Sequence, residues 1–464
     1  MELITARAVR ALFGGTCDLV ERPVTAGGQA LTLFFIDGLT SGGDIADFVL
    51  RPLAENVAPG PMASILRQAK DGAVYSAVAE SVRTAAQAAD KLVNGFCVLV
   101  LPGMPEAVCY EVKTGEKRSP APPESENTIK GAKDAFTETV RTNTSLVRRH
   151  LRAPELRFEP FTVGERTRTN VTLCYLAGRT DPALAERMRQ RLRSLHPEGL
   201  LSPAAVEELV TGSRRTAFPM LRVTERTDSF CQGLLAGQLG LIADGLPEGF
   251  LAPVSLGALM DSPEDRAVDY ISASCLRVLR YTALFAGLLL PGLYAAMAVF
   301  HQQMLPTRLL LAIIESKKDV PLPTLLEVLG LLAAFELLQE AGLHLPQAVG
   351  TAVSIIGGLV VGTAAVDARL VSPAALIVAA AAGICGFTLP SRDLSDAIRV
   401  WRFALTFLGG LFGLLGLTVG LLALLVHLSG LQSLGRAYLA PFASATGGGA
   451  ILRRPYTPEG GKMS

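Results

Sequence analysis

Three carboxylates interrupt an apolar run of nearly membrane-spanning length, TLLEVLGLLAAFELLQEAG at residues 324–342. On a helix, Glu336 and Glu340 share one face and Glu327 lies roughly on the opposite face. Glu327 and Glu340 stand near the segment ends, where they can reach water or headgroups, so only Glu336 requires a polar partner or a wet cavity. Two interpretations follow: a surface helix with solvated acids, or carboxylates that line or approach an aqueous path and attract cations.

The next apolar segment carries small residues at four-residue spacing, which let helices or subunits approach closely. Plain helix packing explains most of these glycines. The sharper hypothesis is a pore helix repeated around a symmetric oligomer, with Val360 and Val361 as a hydrophobic constriction. Asp367 and Arg369 at its end either pair with each other or form a charged ring at the mouth. The candidate pore and gating residues are therefore Glu336, Gly350, Ser354, Gly357, Gly358, Val360, Val361, Gly362 and Thr363.

Residue types that build enzyme active sites form no recognisable pattern in this chain. The sequence contains no GxSxG, Walker A or HExxH motif, and its five histidines are isolated. The seven cysteines are scattered singly without a CxxC pair, so neither a zinc site nor a disulfide framework is expected. We predict no catalytic residues, no metal and no cofactor. The net charge of +1 gives no reason to expect a nucleic acid partner.

A basic stretch, IKGAKDAFTETVRTNTSLVRRHLRAPEL at residues 129–156, reads as a helix with clustered positive charge. A solvated helix face is the first interpretation of such a cluster. Docking against an acidic partner or the anionic membrane surface is the alternative. The residues concerned are Lys130, Lys133, Arg141, Arg148, Arg149 and Arg152.

Composition and hydropathy divide the 464 residues into two halves that must position these side chains. Up to residue 274, short apolar strands alternate with polar helical patterns, which predicts an α/β region. Beyond it the chain turns strongly apolar, which predicts a multi-pass transmembrane helical domain. The expected boundaries are an α/β subdomain at 1–115, a linker at 116–128, a second α/β subdomain at 129–274, a transmembrane domain at 275–442 and a flexible tail at 443–464.

About five membrane spans are expected, the first kinked at Pro291. Arg277 and Arg280 precede the first span and three arginines precede the last, so both flanks should face the cytoplasm. The N-terminus lacks the apolar core of a secretory signal, which also places the first half in the cytoplasm. Four spans with one re-entrant helix are the alternative. The candidate spans are 281–300, 322–341, 349–366, 371–389 and 403–428.

Ordered sequence blocks along almost the whole chain resemble the GerA family of bacterial spore germination proteins. That family comprises the A subunits of germinant receptors and a close paralogue in the SpoVA operon. The resemblance is carried by FIDGLTSGGDI, KGAKDAFTETVRTNTSLVRRHL, FTVGERTRTNVTLCYLAGRTDP, PVSLGALMDSPED, FHQQMLPTRLLLAI, FELLQEAGLHLP, IIGGLVVGTAAVDARLVSP and FGLLGLTVGLLALLVHL.

The resemblance implies a protein of the spore inner membrane, in contact with its lipid, whose N-terminal domain is cytoplasmic. It implies assembly with germinant receptor B and C subunits. It also implies a homo-oligomer, a pentamer, that forms a channel and releases monovalent cations in response to nutrient germinants. A non-conducting scaffold or signal-relay subunit is the alternative function. A membrane-tethered enzyme ranks below both.

Several positions depart from the family pattern. Thr351 and Thr363 stand where the family commonly has glutamine, so a polar lining built from those side chains is changed here. Ser354 and Asp367 replace glycine and glutamate. Elsewhere Thr227 and Asp228 follow TER in place of Pro-Asp, and Arg266 and Ala267 replace paired tyrosines, which changes expected subunit contacts.

Overall fold

The computed structural model describes residues 4–113, 122, 123, 126, 128, 130–212, 216–344, 358, 360–440 and 442. These residues form two compact units. An α/β unit takes in the described residues up to 212 together with 221–253. A helical unit takes in 216–220 and the residues from 254 onward. The expected succession of an α/β region and a helical region is confirmed.

The α/β unit contains two antiparallel five-stranded sheets with the same strand order. In each sheet the first, second, fourth, fifth and third strands lie side by side, so the second half repeats the topology of the first. The first sheet consists of β1 Leu19–Ala26, β2 Gln29–Ile36, β3 Ala79–Val82, β4 Phe96–Val100 and β5 Ala107–Glu111. The second consists of β6 Leu156–Val163, β7 Thr169–Leu176, β8 Arg222–Thr224, β9 Leu239–Ala243 and β10 Gly249–Ala252.

Local sequence signals account for most of these elements. The β1–β2 hairpin closes through Gly27 and Gly28, both at positive φ, as a tight two-residue hairpin turn requires. Asp181 caps the helix that begins at Pro182, where a proline without an N–H fits the first turn. The helices of this unit are α1 Ala6–Phe13, α2 Gly42–Asp44, α3 Arg51–Glu55, α4 Met62–Lys70, α5 Ala85–Val93, α6 Val140–His150, α7 Pro182–Arg193, α8 Pro203–Thr211 and α9 Thr227–Leu235, with a π-helix Ile45–Leu50.

One residue of the basic stretch, Arg148, joins the two halves of the α/β unit, whereas the other five basic residues are exposed, as a solvated face predicts. Arg148 of α6 is completely buried and makes a bidentate ion pair with Asp18 of the first half. Arg148 also donates to the carbonyl of Ala153 at 2.9 Å. Arg141 pairs with Asp37. Neither interpretation holds for Arg148, because the acidic partner lies in the same chain and burial without a partner would be costly.

The described part of the helical unit is built around two long helices, α11 Tyr270–Val299 and α16 Arg392–Gly430, with five shorter ones. Helix α11 continues through Pro291. Helix α16 contains non-helical backbone at Gly413, whose φ of 64° marks a kink. The elements are α10 Leu256–Leu259, α11 Tyr270–Val299, α12 Thr307–Lys317, α13 Thr324–His344, a π-helix Val360–Ala364, α14 Ala365–Asp367, α15 Pro373–Phe387, α16 Arg392–Gly430, and the short strands β11 Gln432–Ser433 and β12 Arg436–Ala437.

Glycines set the distance between α11 and α16. A Cβ on Gly409 would lie 2.7 Å from the carbonyl oxygen of Gly292, and one on Gly292 would lie 2.9 Å from that of Leu405. Contacts this short exclude any side chain at either position without a shift of backbone. The small residues thus allow the close backbone approach by which apolar helices associate.

Two helices among the described residues are long and apolar enough to cross a membrane, Tyr270–Val299 and Arg392–Gly430. Pro373–Phe387 is a shorter apolar helix of 15 residues. The carboxylate-bearing segment forms a continuous helix, Thr324–His344. Helix α12, which lies between the first two predicted spans, was not expected from the sequence.

Candidate functional site

Glu336, the carboxylate singled out in the sequence, is held between two arginines of α16. Its Oε1 accepts from Arg402 Nη2 at 2.6 Å, and its Oε2 lies 2.8 Å from Arg399 Nε. Arg402 is 5% exposed and Glu336 18%, so water screens the three charges only weakly. The polar partners of Glu336 therefore lie within its own chain and fasten α13 to α16.

The arginine contacts extend beyond Glu336. Arg402 Nη1 donates to the carbonyl of Ala382 in α15 at 3.0 Å. Arg399 Nη2 donates to the side-chain oxygen of Gln339 at 2.9 Å and lies 3.3 Å from Asp396. These contacts connect the apolar helices α13, α15 and α16. The two cations and two carboxylates cancel in formal charge.

Glu327 departs from the expectation that it reaches water or headgroups, because its side chain is completely buried. Its Oε1 accepts the backbone N–H of Ser372. Its Oε2 lies 3.1 Å from Lys317 Nζ at the end of α12. The correction has a physical reason: Lys317 and Ser372 cover the first turn of α13, and a buried carboxylate requires such partners.

A second completely buried carboxylate of the helical unit, missed in the sequence, lies before α11. Asp265 is completely buried in a 3-10 turn, Pro263–Arg266, and accepts from Arg277 Nε at 3.0 Å and Arg280 Nη1 at 2.8 Å. Arg277 also pairs with Asp261 at 2.8 Å. The two basic residues that precede the first predicted span are thus neutralised locally.

The small-residue segment is described only in its second half. Gly350, Ser354 and Gly357 lie outside the described residues. Gly358 is helical and exposed, and the π-helix Val360–Ala364 includes the backbone of Val360, Val361, Gly362 and Thr363. The described end of this segment packs beside α13 and α15, because Ala365 and Val366 contact the same apolar cluster as Phe335, the residue that precedes Glu336. The π-helical turn is a feature often found at functional sites.

Of the two alternatives for Asp367 and Arg369, their pairing with each other is wrong, and the charged ring stays a prediction. Arg369 pairs with Asp319, in the loop between α12 and α13, rather than with Asp367. Arg369 has positive φ, which turns the chain sharply after α14 and directs the side chain to that loop. Both members of this pair are more than half exposed. The contact therefore contributes little stability.

A histidine–carboxylate pair is the clearest titratable group of the α/β unit. His150 Nε2 lies 2.6 Å from Asp134 Oδ2, which also accepts from Thr227 Oγ1 at 2.6 Å. The hydrogen bond to Asp134 raises the pKa of His150, although burial opposes it. Burial opposes ionisation of Asp134, but the bonds from His150 and Thr227 lower its pKa to about 2. Thr227, one of the departures noted above, thus ties the segment before α6 to α9.

With these arrangements in view, comparison with known proteins identifies the family. The family described as Bacillus/Clostridium GerA spore germination protein matches residues 7–458. This chain belongs to the GerA family. The match extends through both the α/β unit and the helical unit, and the resemblance carried by the sequence blocks is confirmed.

Two relatives of this GerA-family chain cover nearly its full length. It is 33% identical to the uncharacterized membrane protein YfkQ of Bacillus subtilis (strain 168), over 92% of this chain and 83% of the relative. It is 32% identical to spore germination protein KA of the same organism, over 96% of this chain and 82% of the relative. Among solved structures, it is similar to the N-terminal domain of the A subunit of the Bacillus megaterium spore germinant receptor GerK3, with 24% identity, 53% of this chain and 92% of that chain covered, and a TM-score of 0.42.

Two residues that matter most to the helical site were not found from the sequence. Lys317 ends an unpredicted helix, and Asp265 lies before the apolar region. The signal available for Lys317 was a basic residue at the end of the apolar run TRLLLAIIESK. For Asp265 it was the capping-box pattern of Ser262 and Asp265. Neither signal predicts which residue the side chain pairs with.

Proposed function

We propose that this chain is the A subunit of a spore germinant receptor whose helical unit surrounds a passage for monovalent cations. The observation that carries the proposal is the family match, which runs through the helical unit to residue 458. In this proposal about five spans lie in the spore inner membrane and the α/β unit is cytoplasmic. The chain assembles with receptor B and C subunits and with further copies of itself, as a pentamer, and releases cations when nutrients are sensed.

The charge arrangement of the helical unit supports a role inside a membrane assembly. The ion pairs of Glu336 and Glu327 satisfy buried charges between apolar helices, where an unpaired charge is expensive. The π-helix Val360–Ala364 adjoins the cluster that contains Phe335. We assign the passage to the small-residue helix, with Val360 and Val361 as its constriction and Gly350, Ser354, Gly357, Gly358, Gly362 and Thr363 as lining.

A non-conducting scaffold is the second candidate, and one observation favours it. Glu336 is neutralised by Arg399 and Arg402 of its own chain, so it supplies no unpaired negative charge for attracting cations. Ion pairs that couple α13 to α16 suit a signal-relay subunit, because movement of one helix is then transmitted to the other. The scaffold predicts that the purified oligomer passes no ions across a lipid bilayer.

Ion flux from liposomes separates the two functions. The purified full-length protein is reconstituted in vesicles loaded with potassium, and efflux is compared for the wild type and Val361→Ala. A constriction at Val361 predicts faster leakage in the variant, because a shorter side chain weakens dewetting. Val400→Ala, an exposed valine on α16, is the matched control and should leave efflux unchanged. Equal, background efflux for all three proteins rejects the channel in favour of the scaffold.

Spores provide the test of Glu336 in its native assembly. Glu336→Gln and Glu336→Ala should alter potassium release and slow germination, because the arginines of α16 lose their counter-charge. Glu340→Gln, on the same helix but exposed, is the control. Normal germination kinetics and potassium release in spores with either Glu336 change would contradict a role for this residue.

A further inference from the structure

Polar groups from α11, α13 and the start of α15 lie around Glu327. Its carboxylate, completely buried, lies beside the Thr324 hydroxyl at the start of α13 and the backbone N–H of Ser372, the N-cap of α15. Tyr294 of α11 packs against the apolar cluster that includes Val328 and Val371, the neighbours of Glu327 and Ser372 in the sequence. The Tyr294 hydroxyl is buried and has no hydrogen-bond partner within the described part of the chain. One hydroxyl in this pocket near Glu327 is therefore not used by the described part of the chain.

One cation neutralises this pocket. Lys317 Nζ lies 3.1 Å from Glu327 Oε2 and donates to the Thr324 hydroxyl. Among the described residues, no other basic side chain lies within ion-pair distance of Glu327. The ammonium group is a compact charge of +1 on a flexible stem, in contact with a carboxylate and a hydroxyl. These oxygen types are also the ligands that hard metal cations take in proteins.

The helix that supplies Lys317 is mostly exposed in the single chain. Lys317 is the last residue of α12, and Ile313 is the only buried residue of that helix. The side chain of Lys317 is 19% exposed, whereas that of Glu327 is 0% exposed. Lys317 therefore lies at the rim of the pocket, and the Glu327 carboxylate lies in its interior. When Lys317 leaves, Glu327 requires another positive charge, since an uncompensated buried carboxylate is strongly unfavourable.

We propose that Glu327, with the Thr324 and Tyr294 hydroxyls, is a binding site for a monovalent cation, which Lys317 occupies in this conformation. Lys317 acts as a tethered competitor, and a potassium-like ion replaces it when α12 moves. The inference deepens the proposed function by placing a cation site in the helical unit. It rests on the contacts of Lys317 and Glu327 rather than on conduction, so it can hold even for a non-conducting scaffold.

Binding of radioactive rubidium to the purified full-length protein tests the proposal. Lys317→Met should bind about one Rb⁺ per chain, and its melting temperature should rise with RbCl or KCl but not with choline chloride at equal ionic strength. Wild-type protein and Lys318→Met, which removes the neighbouring lysine, should bind at least about tenfold more weakly, because Lys317 still competes. Adding Glu327→Gln to Lys317→Met should abolish the binding.

A second measurement needs no substitution. Acetylation of Lys317 in the wild-type protein, followed by peptide mass spectrometry, should become several-fold faster in KCl than in choline chloride, with Lys318 as the internal reference. Lys317 modification that is insensitive to KCl overturns the proposal. So does a Lys317→Met protein that binds no Rb⁺ and is stabilised only by acid, because protonation of Glu327 then replaces the lost charge. Neither readout depends on ion flux, so failure here is distinct from failure of the channel.

Discussion

Two carboxylates of the helical unit are each held between two arginines that stand three positions apart on one helix. Asp265 bridges Arg277 and Arg280 of α11. Glu336 bridges Arg399 and Arg402 of α16. The N–O distances are alike, between 2.6 and 3.0 Å. We call each carboxylate with its two arginines a clamp. The two clamps differ in the exposed fraction of their side chains and in the separation of their members along the sequence.

The Asp265 clamp joins residues close in sequence and its carboxylate is fully buried, whereas the Glu336 clamp joins residues far apart in sequence and is partly exposed. Asp265 lies in the turn that leads directly into α11 and is 0% exposed, so its clamp fixes the start of one helix. Glu336 joins elements more than sixty residues apart, and Arg399 is 32% exposed. The same chemistry therefore orders a helix start in one place and fastens separate helices in the other.

Removing the charge of Asp265 should have the greater effect. Asp265→Asn leaves Arg280 buried without an anionic partner, and we expect a loss of about 3–5 kcal/mol in unfolding free energy. Thermal melting of the purified full-length protein checks it. Asp261→Asn is the control, because Asp261 is 30% exposed and, among the described residues, pairs only with Arg277, so its loss should cost about 1 kcal/mol or less. Equal effects of the two changes would mean that burial does not set the strength of this clamp.

Glu336→Gln should be milder. Glutamine keeps an acceptor oxygen for Arg402, and Arg399 retains Asp396, so a loss of about 1.5–3 kcal/mol is expected. The measurement is the same thermal melt, with Glu340→Gln expected within about 0.5 kcal/mol of wild type. A loss of unfolding free energy as large as that of Asp265→Asn would show that water screens the Glu336 clamp no more than the Asp265 clamp.

Replacing one arginine by lysine in each clamp sharpens the contrast further. Arg402→Lys should cost about 1–2 kcal/mol more than Arg280→Lys, because Arg402 reaches the Ala382 carbonyl and Glu336 through two separate nitrogens, a fork that one lysine ammonium does not reproduce. Melting of the two variants, measured side by side, gives the difference. If Arg280→Lys is the more damaging change, the Ala382 contact does not distinguish the clamps.

The half-exposed pair of His150 and Asp134 gives the smallest expected effect and depends on pH. Because the pKa of His150 is raised, its stabilisation is fully present below about pH 6.5 and is lost as pH rises through the raised value. At higher pH the imidazole is neutral and the ion pair is gone. His150→Gln should remove this pH dependence at a cost of about 1 kcal/mol or less at pH 6. A melting curve of the variant that keeps the wild-type pH profile assigns the dependence to another group.

Much of the fold could be predicted because its signals are local. The alternation of short apolar strands with polar helical patterns is such a signal, and the α/β region predicted from it is observed. Helix α12 was missed because its apolar residues are not confined to one face and its length is below that of a span. The expectation for Glu327 failed because exposure was inferred from its position in the helix, and not from what packs over that end.

The candidate site was only partly accessible to sequence reasoning. The need of Glu336 for a polar partner follows from the cost of burying a charge among apolar side chains. The identity of that partner does not follow, because Arg399 and Arg402 were noted only as basic flanks of a span. Arg148 was likewise noted as one of several basic residues, and only its contact with Asp18 separates it from the solvated ones.

The sequence alone determined the family, the division into an α/β part and an apolar helical part, and the presence of carboxylates where lipid would disfavour them. Periodicity, turn residues and helix caps act between residues that are close in sequence, so they can be recognised from the sequence. Only the tertiary structure decided which charge meets which, as in Glu327 with Lys317 and Glu336 with Arg402. Ion pairing depends on distances of a few ångströms between side chains, and chain folding sets those distances independently of separation along the sequence.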